Sequence, residues 1–341
     1  MQHRALGGSG LKVSALTFGN WLTGGAPEDA AECIRAALDA GITTFDTADV
    51  YGAPEFGAGE RVLGEALAGR RRDGLVIATK VCLPTGPGRN DRGLSRKHVM
   101  ESCAASLRRL RTDRIDLYQA HRFDPGTPLE ETMVAFADLH RAGLIGYLGV
   151  SEWTAPQIRA AHALARELRV PLVAAQPQYS MLWRVAEAEV APACAELGIG
   201  QIVFSPLAQG VLAGRYRPGQ ATPGDSRAEH ERGARFVGRY MSEAVLRAVE
   251  RLRPIAADLD ATLAQLALAW VLSRPGVSSA IMGASRPAQI ADNVTALDLV
   301  LDDETLARID AAFVDAEHGD LVERDGAKVA KPFDVMPAWR R

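Results

Sequence analysis

The chain has few cysteines, and they are far apart. Four occur in 341 residues, with no C-x-x-C pair: Cys33, Cys82, Cys103 and Cys194. This spacing excludes a disulfide framework and a cysteine-based zinc module, and it suits a reducing cytosol. The first residues lack the apolar segment of a signal peptide, and no apolar run approaches the ~20 residues that span a bilayer. We therefore predict a cytoplasmic protein with no membrane partner.

A strong charge of either sign is also missing. The formal net charge is −3, and acidic and basic residues are interspersed along the chain. Such a distribution gives no basic face for a nucleic acid, so no nucleic-acid partner is predicted. No H-x-H or comparable ligand cluster follows any apolar run, so no metal site is predicted either.

What the sequence does contain is a regular alternation of short apolar runs and amphipathic stretches. The runs are SALTFG (14–19), ITTFD (42–46), LVIATK (75–80), IDLYQA (115–120), IGYLGV (145–150), LVAAQ (172–176), QIVFS (201–205) and SSAIM (278–282). Near-continuous apolar strands that alternate with helices indicate a parallel sheet.

Eight such units in a chain of this length predict an α/β protein, a (β/α)8 TIM barrel, as a single domain over residues 1–341. A long loop is expected after the seventh strand, from about Pro206 to Tyr240, and a C-terminal helix and tail from Asp302. Thr127 and Glu130, around Pro128, predict a capping box for the helix after the fourth strand.

The alternative architecture is an open doubly wound sheet. Two observations count against it. No G-x-G-x-x-G follows the first strand, as a dinucleotide-binding open sheet would usually show. The conspicuous polar residues also recur after strand upon strand, instead of collecting at one switch point.

Four polar residues near the ends of successive strands fit one reaction. Asp46 ends the second strand, Tyr51 follows five residues later, Lys80 ends the third strand and His121 follows the fourth. A carbonyl that accepts hydride needs a proton donor at its oxygen. Tyr51 is a weak acid, and an adjacent Lys80 ammonium is expected to lower its pKa, with Asp46 as the anionic partner of Lys80. His121 would orient the substrate oxygen.

Three other histidines lie far from these strand ends in the sequence. His98, His140 and His162 fall in amphipathic helical stretches, and we predict that they are surface residues.

These motifs resemble the aldo-keto reductase family. GITTFDTADVYG resembles the signature that carries the family's Asp and Tyr, LVIATK its Lys strand, and IDLYQAHRFDP its His strand. The resemblance extends over nearly the whole chain, and it implies a catalytic tetrad of Asp46, Tyr51, Lys80 and His121.

HRFDPGTPLEET, FSPLAQGVLAGRY and GASRPAQIADN are most similar to bacterial reductases related to potassium-channel β subunits. Channel β subunits commonly carry Asn at the position of His121. The His here favours an active enzyme, and a redox-sensing NADPH-binding regulatory module is the alternative.

The resemblance also implies an NADPH (NADP+) site. Ser151 and Gln176 would bind the nicotinamide carboxamide, and Phe204 would stack on its ring. Arg286, near the start of the last barrel helix, would bind the 2′-phosphate and so favour NADPH over NADH. The other implied contacts are Ser205, Pro206, Leu207, Gln209, Gly210, Arg215, Arg227, Gly283, Ser285, Gln289, Asp292 and Asn293.

The implied substrate is a small aldehyde or ketone. Its site would be formed by Tyr51, His121 and Trp21, the last of which matches a pocket tryptophan in relatives. The sequence leaves the oligomeric state open, including a homo-oligomer, and it does not name the physiological substrate.

Overall fold

The structure is a computed structural model that describes residues 1–21, 27–52, 55–224, 226–229, 231–314, 321–324 and 327–330. Its strands in chain order are β1 (His3–Ala5), β2 (Lys12–Ser14), β3 (Leu16–Gly19), β4 (Thr44–Asp46), β5 (Val76–Val81), β6 (Ile115–Ala120), β7 (Ile145–Ser151), β8 (Leu172–Gln176), β9 (Gly200–Val203), β10 (Val277–Met282), β11 (Leu321–Arg324) and β12 (Ala327–Ala330).

The helices alternate with the strands. They are α1 (Pro27–Asp39), α2 (Ala58–Ala66), α3 (Arg96–Leu110), α4 (Leu129–Arg141), α5 (Ala155–Leu168), α6 (Val190–Leu197), α7 (Glu231–Val237), α8 (Glu243–Asp258), α9 (Leu263–Ser273), α10 (Pro287–Val294) and α11 (Asp303–Ala311).

All eight predicted strands form, as β3 to β10, and they close a barrel in the order β10-β3-β4-β5-β6-β7-β8-β9. Every neighbouring pair in this barrel is parallel. The predicted (β/α)8 fold is therefore confirmed. Because the strands are parallel, their carboxyl ends meet at one end of the barrel.

The chain divides into two compact units. The first comprises Met1–Pro177, Glu189–Phe204 and Gly276–Ala291, and it contains the whole barrel. The hairpin of β1 and β2 contributes Leu6 and Val13 to an apolar cluster with Leu117 and Ile202 of the barrel strands. The assignment of residues 1–341 to one domain stays a prediction.

The second unit comprises Gln178–Ala188, Ser205–Pro275 and the chain from Asp292 onward. The predicted long loop after the seventh strand contains helix α7. Trp270 of α9 is fully buried, and its ring stacks on Tyr179 at 5.5 Å between centroids. Among the described helices, none alone is long and apolar enough to cross a bilayer. Helices α8 and α9 meet that length and composition only as a pair, across an 87° bend.

The predicted capping box at α4 is wrong. Helix α4 begins at Leu129, its cap residue is Pro128, and no side chain caps it. The Thr127 hydroxyl instead donates to the Asp124 carboxylate at 2.7 Å. The Thr127 hydroxyl is therefore bonded to a nearby carboxylate, whereas the local pattern predicted that it caps the helix N-terminus.

Candidate active site

The four residues of the predicted tetrad lie together at the carboxyl end of the barrel strands. Asp46 is the last residue of β4, Lys80 lies on β5, and His121 directly follows β6. Tyr51 lies in the turn after β4, and Gly59 of α2 is packed so closely that a Cβ there would be 3.0 Å from the Tyr51 Cβ.

Lys80 connects the group. Its side chain is fully buried, and its Nζ donates to Asp46 Oδ2 at 2.5 Å, to the Thr47 carbonyl oxygen at 2.8 Å and to Tyr51 Oη at 3.1 Å. All three ammonium hydrogens are thereby used. Because Tyr51 Oη accepts in this bond, its own hydrogen remains available for donation to another oxygen.

Two amides hold the Asp46 carboxylate from its other side. Gln176 Nε2 donates to Asp46 Oδ1 at 2.9 Å, and Gln119 Nε2 donates to the same oxygen at 3.3 Å. Sequence reasoning missed Gln119, although a polar residue inside the apolar run IDLYQA was a usable signal. A carboxylate with several donors and a paired ammonium is stable in a buried position.

Burial and charge act in opposite directions on the two titratable side chains. Burial raises the pKa of the Tyr51 phenol above its ordinary value, and the Lys80 ammonium only partly opposes this. Burial also disfavours the Lys80 ammonium, yet Asp46 and Tyr51 together raise the pKa of Lys80 above its ordinary value. Lys80 thus lowers the pKa of Tyr51 in the predicted direction, but desolvation outweighs charge proximity, and the net pKa is raised.

His121 completes the group as a neutral imidazole. Burial, followed by the charges of Arg122 and Lys80, lowers the pKa of His121 well below its ordinary value. Its ring packs edge-on against Tyr51, with centroids 5.9 Å apart. Among the described residues, its buried Nδ1 has no hydrogen-bond partner. A neutral imidazole carries one N–H donor, which suits a hydrogen bond to a carbonyl oxygen.

Arg122 is a second residue that sequence reasoning missed. It follows His121 directly, and its Nη1 donates to the His121 carbonyl oxygen at 2.5 Å and to Ser151 Oγ at 3.3 Å. Its place beside His121, just after a strand end, was the signal in the sequence.

The predicted cofactor residues of the first unit fall into two groups. Ser151 and Gln176 are buried neighbours at the ends of β7 and β8, and Ser151 Oγ donates to the Gln176 carbonyl oxygen at 3.0 Å. Gln176 Oε1 accepts no hydrogen bond among the described residues, so it could accept from a carboxamide. Phe204 follows β9 and is partly exposed.

The second group lies around the start of α10. Gln289 Oε1 accepts from the backbone N–H of Ser285 at 2.8 Å and of Arg286 at 3.3 Å. Gly283, Ser285 and Arg286 are exposed, which leaves the Arg286 guanidinium accessible to an anion. Asp292 and Asn293 lie on the same helix but belong to the second unit, and Asn293 is buried.

The remaining predicted contacts lie after β9 in the second unit. Ser205, Ala208, Gln209 and Gly210 all have positive φ, with Ser205 at 57° and Gln209 at 62°. Gln209 Nε2 donates to Ser205 Oγ at 2.7 Å, which stabilises the strained loop. Pro206, Leu207 and Arg215 are partly or wholly buried, and the side chain of Arg227 lies outside the described residues.

Trp21 follows β3 and is partly buried. The structure contradicts the surface prediction for His98, which is only 4% exposed on α3. Within the described ranges, no group of three or more His, Cys, Asp and Glu side chains is placed to hold a metal ion.

Comparisons with known proteins agree with this geometry. A model described as "Aldo/keto reductase family" matches residues 15–313. The chain is 44% identical over 308 residues to a probable voltage-gated potassium channel subunit beta of Arabidopsis thaliana, covering 88% of this chain and 92% of that protein. It is 38% identical over 328 residues to the L-glyceraldehyde 3-phosphate reductase of Escherichia coli K12, covering 93% of this chain and 94% of that protein.

Proposed function

The chain belongs to the aldo/keto reductase family, and we propose that it reduces an aldehyde or ketone to an alcohol, with NADPH as hydride donor and Tyr51 as proton donor. The observation that carries this proposal is the Lys80 ammonium, which donates to Tyr51 Oη at 3.1 Å while it is paired with Asp46 at 2.5 Å.

Each residue of the tetrad has one task in this reaction. NADPH, held by Ser151, Gln176 and Arg286, would supply the hydride that the carbonyl carbon accepts. Tyr51 is protonated at neutral pH, because burial raises its pKa, and it gives its hydroxyl proton to the carbonyl oxygen. Lys80 stabilises the phenolate that remains, and Asp46 keeps Lys80 charged. Neutral His121 donates a hydrogen bond that orients the substrate oxygen.

The residues of the first unit fit a nicotinamide dinucleotide. Gln176 Oε1 supports a hydrogen bond from the carboxamide, and Ser151 lies beside it. The exposed Arg286 next to the first turn of α10 supports a 2′-phosphate, which NADH lacks. NADPH is therefore the proposed cofactor. The predicted contacts in the second unit stay predictions.

The test is turnover measured by the loss of NADPH absorbance. We expect activity with 4-nitrobenzaldehyde and with a panel of other aldehydes and ketones. L-Glyceraldehyde 3-phosphate belongs in the panel, because it is the substrate in the name of one relative. NADH in parallel should give a lower kcat/KM, and Arg286→Ala should reduce that difference. Equal use of both cofactors by the unaltered enzyme would contradict the role of Arg286.

The second candidate function is an NADPH-binding regulatory module with little turnover. It is favoured by relatives that are named as channel subunits. Tight NADPH binding without reduction of any carbonyl in the panel would support this function and contradict the first.

A further inference from the structure

Arg122 connects the ends of two neighbouring barrel strands beside the tetrad. It lies two residues after the end of β6, and its Nη1 reaches Ser151 Oγ, at the end of β7, at 3.3 Å. The same nitrogen donates to the His121 carbonyl oxygen. The guanidinium is therefore held at the carboxyl end of the barrel strands, where the tetrad also lies.

The described residues use only part of the hydrogen-bonding capacity of Arg122. A guanidinium has five N–H donors on three nitrogens, but among the described residues only Nη1 of Arg122 makes hydrogen bonds. Its side chain is partly buried, and it forms no ion pair with any described carboxylate. A partly buried cation that no described carboxylate pairs with is costly, so its presence calls for a function.

The nearby charges leave Arg122 uncompensated. Asp46 is already paired with Lys80 at 2.5 Å. The Asp124 carboxylate accepts from the backbone N–H groups of Leu94 and Gly126. Glu152, next to Ser151, forms no salt bridge with Arg122. Asp46, Lys80 and Arg122 together therefore carry one net positive charge.

The Arg122 charge reaches the groups that act on the substrate. It contributes to lowering the pKa of His121, after burial, and it opposes the effect of burial on the pKa of Tyr51. An electrostatic effect on both side chains places the charge within range of a carbonyl held between them.

We propose that Arg122 is a specificity-determining residue that selects carbonyl substrates carrying a carboxylate or a phosphate, through the N–H donors that the protein leaves unused. The inference rests on the proposed reductase function, and it adds the class of substrate. A planar guanidinium with free donors binds either anion in two-point fashion.

The experiment compares kcat/KM for matched pairs of substrates. The carboxylate arm uses 4-carboxybenzaldehyde and neutral 4-nitrobenzaldehyde, and the phosphate arm uses glyceraldehyde 3-phosphate and glyceraldehyde. For the pair whose anionic member is the better substrate, Arg122→Gln should lower the ratio of kcat/KM, anionic over neutral, about 10- to 100-fold. Arg122→Lys should recover part of this ratio. Added salt should reduce the ratio in the unaltered enzyme but not in Arg122→Gln.

The matched control is Arg72→Gln, which changes an arginine before β5, at the opposite end of the barrel. Its ratio should equal that of the unaltered enzyme. If Arg122→Gln lowers turnover of anionic and neutral substrates by the same factor, Arg122 only positions His121 and the inference is overturned.

A binding measurement separates this inference from the proposed function. Calorimetry on the NADPH-loaded protein compares benzoate with benzamide. We expect benzoate to bind more tightly, and Arg122→Gln to weaken benzoate binding about tenfold while leaving benzamide unchanged. If no carbonyl is reduced but this difference is found, the reductase function fails and the anion site stands. Equal binding of the two compounds would overturn the anion site.

Discussion

Two arginines at opposite ends of the barrel have very different surroundings. Arg72 precedes β5, and its Nε, Nη1 and Nη2 all donate: to Thr112, to the Leu75 carbonyl, and to the Arg114 carbonyl and Asp116 carboxylate. Arg122 follows β6, and within the described part of the chain it donates only through Nη1 and to no carboxylate. All three nitrogens of Arg72 are bonded to the protein, whereas Nε and Nη2 of Arg122 donate to no described residue.

The same contrast extends to the polar residues around them. Near the amino ends of the strands, Ser14 Oγ donates to the Leu16 carbonyl at 2.7 Å, and Ser279 Oγ donates to the Ser14 carbonyl at 2.8 Å. At the carboxyl ends, His121 Nδ1 has no described partner, and the Tyr51 hydroxyl hydrogen is uncommitted. Polar groups at the first end are bonded within the fold, whereas those at the second keep hydrogen-bonding capacity, as the proposed reaction requires.

The largest expected effect comes from Lys80→Met. Turnover should fall about 10³-fold, because the phenolate of Tyr51 loses its stabilising charge. The free energy of unfolding should fall by about 3 kcal/mol, because Asp46 stays buried without its ion-pair partner. Steady-state kinetics and denaturant unfolding measure the two effects.

The double variant Asp46→Asn/Lys80→Met is the control, since it removes both charges. It should regain most of the stability and none of the turnover. Recovery of turnover would show that the pair has only a structural role.

Replacing the two arginines in parallel tests the contrast between the barrel ends. Arg72→Gln should lower the free energy of unfolding by about 2 kcal/mol, because it leaves the partly buried Asp116 without its ion-pair partner. Arg122→Gln should change stability much less, because no carboxylate loses a partner. Thermal and denaturant unfolding of both variants gives the answer. Similar losses of stability in the two variants would contradict the contrast between the two arginines.

Asp49 should make the free energy of unfolding depend on pH. It is 1% exposed and accepts from Ser102 Oγ at 2.7 Å. Burial, followed by the charge of Glu60, raises its pKa from 3.8 to about 8. Its contribution to stability is therefore complete below its unfolded pKa, and it is lost as pH rises through about 8.

Asp49→Asn keeps an acceptor for Ser102 and removes the ionisation. The variant should match the unaltered protein near pH 4 and exceed its stability by about 1 kcal/mol or more above pH 8. Denaturant unfolding across this range measures the difference. Parallel stability curves for the two proteins would show that Asp49 ionises normally.

The smallest effect is expected at His121 in the Arg122→Gln variant. Removing the guanidinium should raise the pKa of His121 slightly, and burial should still hold it below the ordinary value. NMR titration of the imidazole C–H signals detects the change. An unaltered titration would show that the Arg122 charge does not reach the site.

The sequence predicted the barrel well because its signals are local and repeated. Eight apolar runs gave eight strands, and their ends located Asp46, Lys80 and His121. The lowering effect of Lys80 on the pKa of Tyr51 was predicted, but the larger effect of burial was not, because the degree of burial is a property of the folded chain. The predicted capping role of Thr127 was wrong for a related reason. Its hydroxyl donates to Asp124, which comes close only through the conformation of the loop.

Other features depend on the folded chain more than on any local pattern. The left-handed backbone at Ser205 and Gln209 does not follow from residue type, since neither is glycine. Gln119 and Arg122 did carry local signals, a polar residue inside an apolar run and a place beside His121. Their contacts with Asp46 and Ser151 are set by the fold, so the sequence alone did not show what they bind.

The most direct test of the central claim is the single-turnover rate of hydride transfer in Tyr51→Phe. The reaction uses 4-nitrobenzaldehyde and pre-bound NADPH, and NADPH affinity is measured separately. If Tyr51 donates a proton in the transition state, the rate in Tyr51→Phe should be about 10²- to 10⁴-fold below that of the unaltered enzyme. The NADPH affinity should be the same. An unchanged rate would contradict the assignment of Tyr51 and, with it, the catalytic role of the carboxyl end of the barrel.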